Sequence, residues 1–224
     1  MRLKNYSYLL FGFALLGYSC ISPPENFPST PEIEFSNLEY VGTSGQDSLL
    51  LTLKFKDAEG DLGLAATDIN PPFNPLVYKR DAAGMLITYS RRPSNAPNYN
   101  PIDWVIDPIV NNAIIKDTVW VEKNENQYNI FVRFFIKRNG QFREFRWQDP
   151  PFYTTFNGRF PRILNTNIGQ AVEGKITYRM LSSGWESIFR NDTLRIDVQI
   201  QDRALNRSNE VSSASLTLKQ ISRK

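Results

Sequence analysis

Three carboxylates, Asp57, Glu59 and Asp61, occupy alternate positions around Gly60, directly after the apolar run Leu49 to Phe55. Oxygen donors spaced this closely, with a glycine that lets the chain turn sharply, suit a hard cation taking about six to eight oxygen ligands at about 2.3–2.6 Å. The segment is not an EF-hand loop, which requires a later bidentate Glu in a helical setting. A second polar turn, Asp202-Arg203-Ala204-Leu205-Asn206, lies near the carboxyl terminus. In a two-sheet sandwich, the loop after the second strand and the loop between the last two strands emerge at the same end. Asp57, Glu59, Asp61, Asp202 and Asn206 are therefore the expected ligands of a structural calcium ion. The competing account needs no metal. Asp and Gly are favoured in turns for backbone reasons alone, and Arg203 can neutralise neighbouring carboxylates.

Residue types missing from the chain narrow its chemistry further. With no histidine and a single cysteine, Ser-His-Asp triads, Cys-His dyads, imidazole-ligated metals, thiolate zinc sites and disulfide scaffolds are excluded. Glycoside hydrolysis needs only two acids about 5–9.5 Å apart. Asp103, Asp107, Glu144 and Asp149 are available for it, but nothing in their spacing selects a pair. No catalytic residue is assigned; a carbohydrate-active hydrolase is the alternative from a different class. Aromatic residues make up 13% of the chain. Trp104, Trp147, Tyr153 and Phe156, in or beside loop-like segments, are candidate faces for a glycan or a protein partner. They are equally suited to sealing the ends of a large sandwich.

The elements that must position these groups read as strands. Leu49, Leu51, Leu53 and Phe55 share one face, the period-two pattern of a half-buried strand. The alternation recurs in Ile176 to Met180, Leu194 to Ile200 and Val211 to Leu218. Asn139-Gly140 supplies the positive φ angles of a tight hairpin between 127–138 and 141–148. Strands are predicted at 33–41, 48–56, 76–80, 84–90, 117–123, 127–138, 141–148, 173–181, 193–202 and 210–221, with no amphipathic helix of three turns. The fold expected is all-β: an immunoglobulin-like antiparallel sandwich forming one domain over 32–224. Residues 65–160 carry inserted hairpins and loops, because prolines interrupt much of that stretch.

The amino terminus reads as an address. Arg2 and Lys4 precede an apolar stretch from Tyr8 to Leu16, too short to span a bilayer comfortably, and Gly17-Tyr18-Ser19-Cys20 follows. This arrangement resembles a lipobox, with Gly17 where Leu is usual, which implies a signal peptide at 1–19 and acylation of Cys20. Residues 20–31, with four prolines, read as an extended tether. Arg2 and Lys4 supply most of the net charge of +3, so the remainder is nearly neutral and no nucleic-acid partner is expected. Leu53 to Leu64 and Val198 to Val211 resemble segments of immunoglobulin-like and cadherin-like modules of exported bacterial proteins. In those modules an Asp-Arg-Ala-Gly-Asn-x-Ser turn is common; Leu205 stands here in place of its Gly. With the lipobox, the chain is similar to the cell-surface lipoproteins of Bacteroidetes. The resemblance implies a lipid-anchored outer-membrane location, with the leaflet open, and a non-catalytic binding or structural role. Its partners would be the bilayer itself and a glycan or envelope protein; an accessory subunit of an envelope complex is a further alternative.

Overall fold

The computed structural model describes residues 27–163 and 170–223. The leader at 1–19, Cys20 and the tether as far as residue 26 lie outside the described residues.

Among the described residues twelve strands follow in chain order: β1 (Glu32–Val41), β2 (Asp47–Asp57), β3 (Leu76–Tyr78), β4 (Trp104–Ile106), β5 (Ile109–Val110), β6 (Ala113–Ile114), β7 (Thr118–Lys123), β8 (Ile130–Arg138), β9 (Gln141–Phe145), β10 (Val172–Ser182), β11 (Leu194–Ile200) and β12 (Val211–Ser212). Two short helices, α1 (Trp185–Phe189) and α2 (Leu218–Ile221), flank the last long strands. Every strand pair is antiparallel. One sheet has the order β1-β2-β10 and the other β12-β11-β8-β9; a small sheet β3-β7-β4 and the hairpin β5-β6 belong to the insertion. The chain is thus an all-β sandwich with inserted hairpins.

The two main sheets meet through residues that alternate along their strands. Leu49, Leu51, Leu53 and Phe55 of β2 oppose Ile130, Val132, Phe134 and Ile136 of β8 and Leu194, Ile196, Val198 and Ile200 of β11 in one buried cluster. Each such side chain contributes about 1.5–3 kcal/mol by leaving water, so a one-residue slip of β2, which would expose its whole apolar set, is strongly disfavoured. Asn139 and Gly140 both have positive φ, 52° and 79°, and join β8 to β9 with Arg138 opposite Gln141. At one end of the core Trp147 and Trp185 interlock with Phe134, Phe145, Phe156 and Phe189, ring centroids lying 4.6–6.2 Å apart.

Two sequence expectations change. Residues 210–221 are not one strand: β12 ends at Ser212, Leu194 bridges Leu216, and α2 begins after Thr217. The Thr217 and Gln220 side chains form a reciprocal capping box, which satisfies orphan amides at a helix start and ends the extended run. Residues 84–90 form only isolated bridges, Arg80 with Leu86 and Thr88 with Val119, before a single 3-10 turn.

The insertion is tied to the sandwich through Arg159. Its guanidinium donates to the carbonyls of Gln127, Ala65 (3.2 Å), Asp68 (2.9 Å) and Phe73 (3.0 Å). Inside the insertion Trp104 and Trp120 stack at 5.9 Å and Tyr89 packs edge-on to Trp104 at 5.0 Å. No described helix is long and apolar enough to cross a membrane.

Candidate metal centre

The acidic turn and the Asp202 turn meet, although about 140 residues separate them in sequence. Strand β2 delivers Asp57 as its last residue, fully buried. The chain then reverses through Gly60 at φ 65°, and the Asp61 amide donates back to Asp57 Oδ2 at 3.1 Å. Leu62 bridges Asp202, which follows β11 on the opposite sheet. The turn is seated by Leu64 N donating to Phe160 O at 3.1 Å and Ile163 N donating to Leu62 O at 3.1 Å. Gly63, at φ 94°, lies flat against Pro161 and Arg162, where a Cβ would collide with backbone.

One oxygen from each of Asp57, Asp61 and Asp202 falls within 4.8 Å of the others, and all three residues are buried. Two ligands on opposite sides of an ion at about 2.4 Å would stand about 4.8 Å apart, so oxygens this close can share one hard cation. Backbone amides orient the set. Asp57 Oδ2 accepts from Asp61 N, and Asp61 Oδ2 from Ala204 N at 3.1 Å. Asp202 Oδ1 accepts from Asn206 N at 2.7 Å and Oδ2 from Asn206 Nδ2 at 2.9 Å. Asp57 Oδ1 and Asp61 Oδ1 are left buried with no hydrogen-bond partner, as is Glu59 Oε2. Unpaired buried acceptors of this kind are costly and call for an explanation.

The electrostatics point the same way. Burial pushes Asp57 from its ordinary 3.8 to about 6, and the adjacent Asp61 carboxylate adds to the rise. Asp61 is raised first by burial and then by Asp202, against the pull of Arg203 and the Ala204 amide. Among the described residues no Lys or Arg nitrogen comes within 4.0 Å of Asp57, Glu59, Asp61 or Asp202. Arg203, the residue best placed in sequence to neutralise the acids, turns its guanidinium to Gly63 O at 3.5 Å. The site is an all-oxygen cluster with no direct ion pair, Arg203 acting on Asp61 only from a distance, which suits a hard divalent ion and not zinc or copper.

Of the five ligands expected from sequence, Asp57, Asp61 and Asp202 converge. Glu59 sits beside them, half-buried, and its charge adds to the rise at both Asp57 and Asp61. Asn206 is exposed and acts as a cap, donating to Asp202 from both its backbone and its side chain. Leu205 adopts φ 70°, the left-handed conformation that the glycine of the resembled turn would take without strain.

The aromatic residues do not gather into one face. Trp104 is 2% exposed within the insertion, Trp147 is 4% exposed in the core cluster and Phe156 packs half-buried against Trp185. Their rings are occupied by packing, and of the four only Tyr153, 70% exposed, offers a free face. Sequence reasoning missed Asn129, which is 1% exposed. Its side chain pairs with both backbone groups of Phe160 at 2.9 Å and so aligns the segment that seats the acidic turn. Its position just before a strand carries no signal of that role.

No family model, curated protein or solved structure matches this chain.

Proposed function

We propose that this chain is a non-catalytic, lipid-anchored module of the bacterial envelope, with one end of its sandwich locked by calcium. The observation that carries the proposal is the buried Asp57-Asp61-Asp202 cluster, which holds two unpartnered oxygens and makes no direct ion pair among the described residues. An ion there joins the end of β2 to the turn after β11, and so clamps one sheet to the other. Its role is structural, because the groups lie in the fold's interior. The site also adjoins the first described residues: Ala58 N, next to Asp57, donates to Pro28 O at 3.0 Å. Calcium occupancy thereby stiffens the junction between the domain and the proline-rich segment that leads back to Cys20. Acylation of Cys20 would supply the anchor, each buried methylene contributing about 0.8 kcal/mol. The outer membrane is the expected location, and a glycan or envelope protein the expected partner.

Two measurements test this reading. Calorimetric titration of calcium into the protein should show one site, lost in Asp57→Asn/Asp61→Asn; absence of binding by the folded wild-type protein contradicts it. Palmitate labelling in cells should mark the wild type and not Cys20→Ser; an unlabelled wild-type protein refutes the anchor.

A further inference from the structure

The four edges of the two main sheets are treated differently. On β1, Asn209 pairs through its side chain with both backbone groups of Ile33, at 2.8 and 2.9 Å, and Arg223 N donates to Tyr40 O at 2.8 Å. The register of β1 also shifts between Phe35 and Asn37. Strand β9 covers only Gln141–Phe145 and β12 only Val211–Ser212. Strand β10 has none of these features. It runs from Val172 to Ser182 in unbroken register with β2, without proline or bulge. Among the described residues no backbone group of β10 bonds anything except β2. A long, regular, uncapped edge is a template for strand addition, and proteins that do not use one blunt it.

We infer that β10 is a dimerisation edge, which pairs antiparallel with β10 of a second copy of this chain, centred on Ile176. A two-fold axis normal to the sheet keeps both apolar faces on the same side. It therefore pairs only residues of the same alternation, buried Ile176 and Met180 on the core face and exposed Glu173, Lys175, Thr177 and Arg179 on the other. Charge and strand overlap together select among the remaining registers: centring on Gly174 also opposes Glu173 to Lys175 but pairs only residues 172–176 of the strand, and centring on Tyr178 brings no opposite charges together, whereas centring on Ile176 pairs 172–180. Centred on Ile176, Glu173 lies opposite Arg179 of the other copy, twice by symmetry, and Lys175 lies opposite Thr177. The same register sets Gly174 opposite Tyr178, whose ring stays packed on its own core with the hydroxyl donating to Phe156 O at 3.1 Å. Centring on Lys175 would instead oppose the two Lys175 side chains, and centring on Thr177 would oppose Lys175 to Arg179. Like charges directly opposite one another are destabilising. The Ile176 register also extends a row already present, in which Glu32, Lys56 and Glu173 lie side by side across β1, β2 and β10. Arg179 of the second copy continues its alternation of sign. The result is a continuous six-stranded sheet, β1-β2-β10-β10-β2-β1, backed on each side by its own second sheet. This inference stands apart from the calcium site, which occupies other residues.

Sedimentation equilibrium of the full chain in reductant and mild detergent tests it. The wild type should be a dimer at micromolar concentrations. Glu173→Arg and Arg179→Glu should each weaken dimerisation by about tenfold or more, and the combined swap should restore it to within about threefold. Thr177 provides a test at an exposed position that leaves those charges in place: Thr177→Glu, facing Lys175 of the other copy, should tighten the dimer and Thr177→Lys should loosen it. A wild type that stays monomeric at about 100 µM, a dimer indifferent to the single swaps, or Thr177 variants that shift association in the same direction would each overturn the inference.

Discussion

Replacing Asp57 by Asn should stabilise the calcium-free protein at neutral pH, although it removes a proposed ligand. Asp57 is fully buried and its folded-state pKa rises from 3.8 to about 6, first through burial and then through Asp61. A carboxyl group raised in this way contributes stability that is fully present below its unfolded pKa and is lost as pH rises through the folded value. At neutral pH the calcium-free native state therefore carries a penalty of about 3 kcal/mol from this group, taking about 1.4 kcal/mol for each pH unit between the two values. For a folded body of this size that corresponds to about 6–12 °C in Tm. Groups with lowered pKa do not interfere. At Asp68 burial pushes the carboxyl up, but the Arg162 hydrogen bond, the Ala65 amide and the charges of Arg162 and Arg203 together bring it below the ordinary value, and Asp117 is held down first by the Ser90 hydroxyl. Their contributions are complete above the ordinary carboxylate range, so the window from about pH 5 to 7 isolates the buried cluster. The assay is urea unfolding in calcium-free buffer across that window. Wild-type stability should fall as pH rises, and Asp57→Asn, which keeps an acceptor for the Asp61 amide and cannot ionise, should lie above it at pH 7 with a shallower slope. A variant less stable than wild type at pH 7 without calcium, or a wild type without slope, would refute the buried cluster without a direct ion pair.

Three further outcomes follow from the packing. Gly63→Ala should cost about 2–4 kcal/mol in urea unfolding, because its positive φ and its contact with Pro161 and Arg162 leave no room for a Cβ. Arg159→Lys should cost about 1–3 kcal/mol, since an ammonium cannot serve the carbonyls that the guanidinium bonds. Hydrogen exchange should then rise across residues 65–125 while β2 and β8 stay protected. Trp147→Ala should cost about 3–5 kcal/mol as a core deletion, visible in the melt; a folded variant of unchanged stability would point to a surface role for that ring.

The strands that form the core were legible because one side of each is buried, which writes period two directly into β2 and β11. The Asn139-Gly140 hairpin was legible because only a few residues tolerate its dihedrals. The meeting of Asp57, Asp61 and Asp202 was within reach for a topological reason, the shared end of a sandwich, and not from spacing alone. What the residues did not disclose depends on distant partners. Arg159 reads as any loop arginine until four carbonyls surround it, and Asn129 as any polar residue before a strand. Residues 211–218 alternate like a strand, yet a capping box at Thr217 and Gln220 closes a helix there. Trp104 and Trp147 sit in polar, proline-rich surroundings that suggest exposure, and only the fold turns their rings inward.

The most direct test of the calcium-locked sandwich is the melting temperature of the full chain with calcium and with chelator, repeated on Asp57→Asn/Asp61→Asn. Calcium at about one hundred times its Kd should add about 2.7 kcal/mol, a rise of about 5–11 °C in the wild type. The double variant should melt at the same temperature in both conditions. A wild type indifferent to chelator, or a double variant that keeps the full calcium shift, would contradict the account.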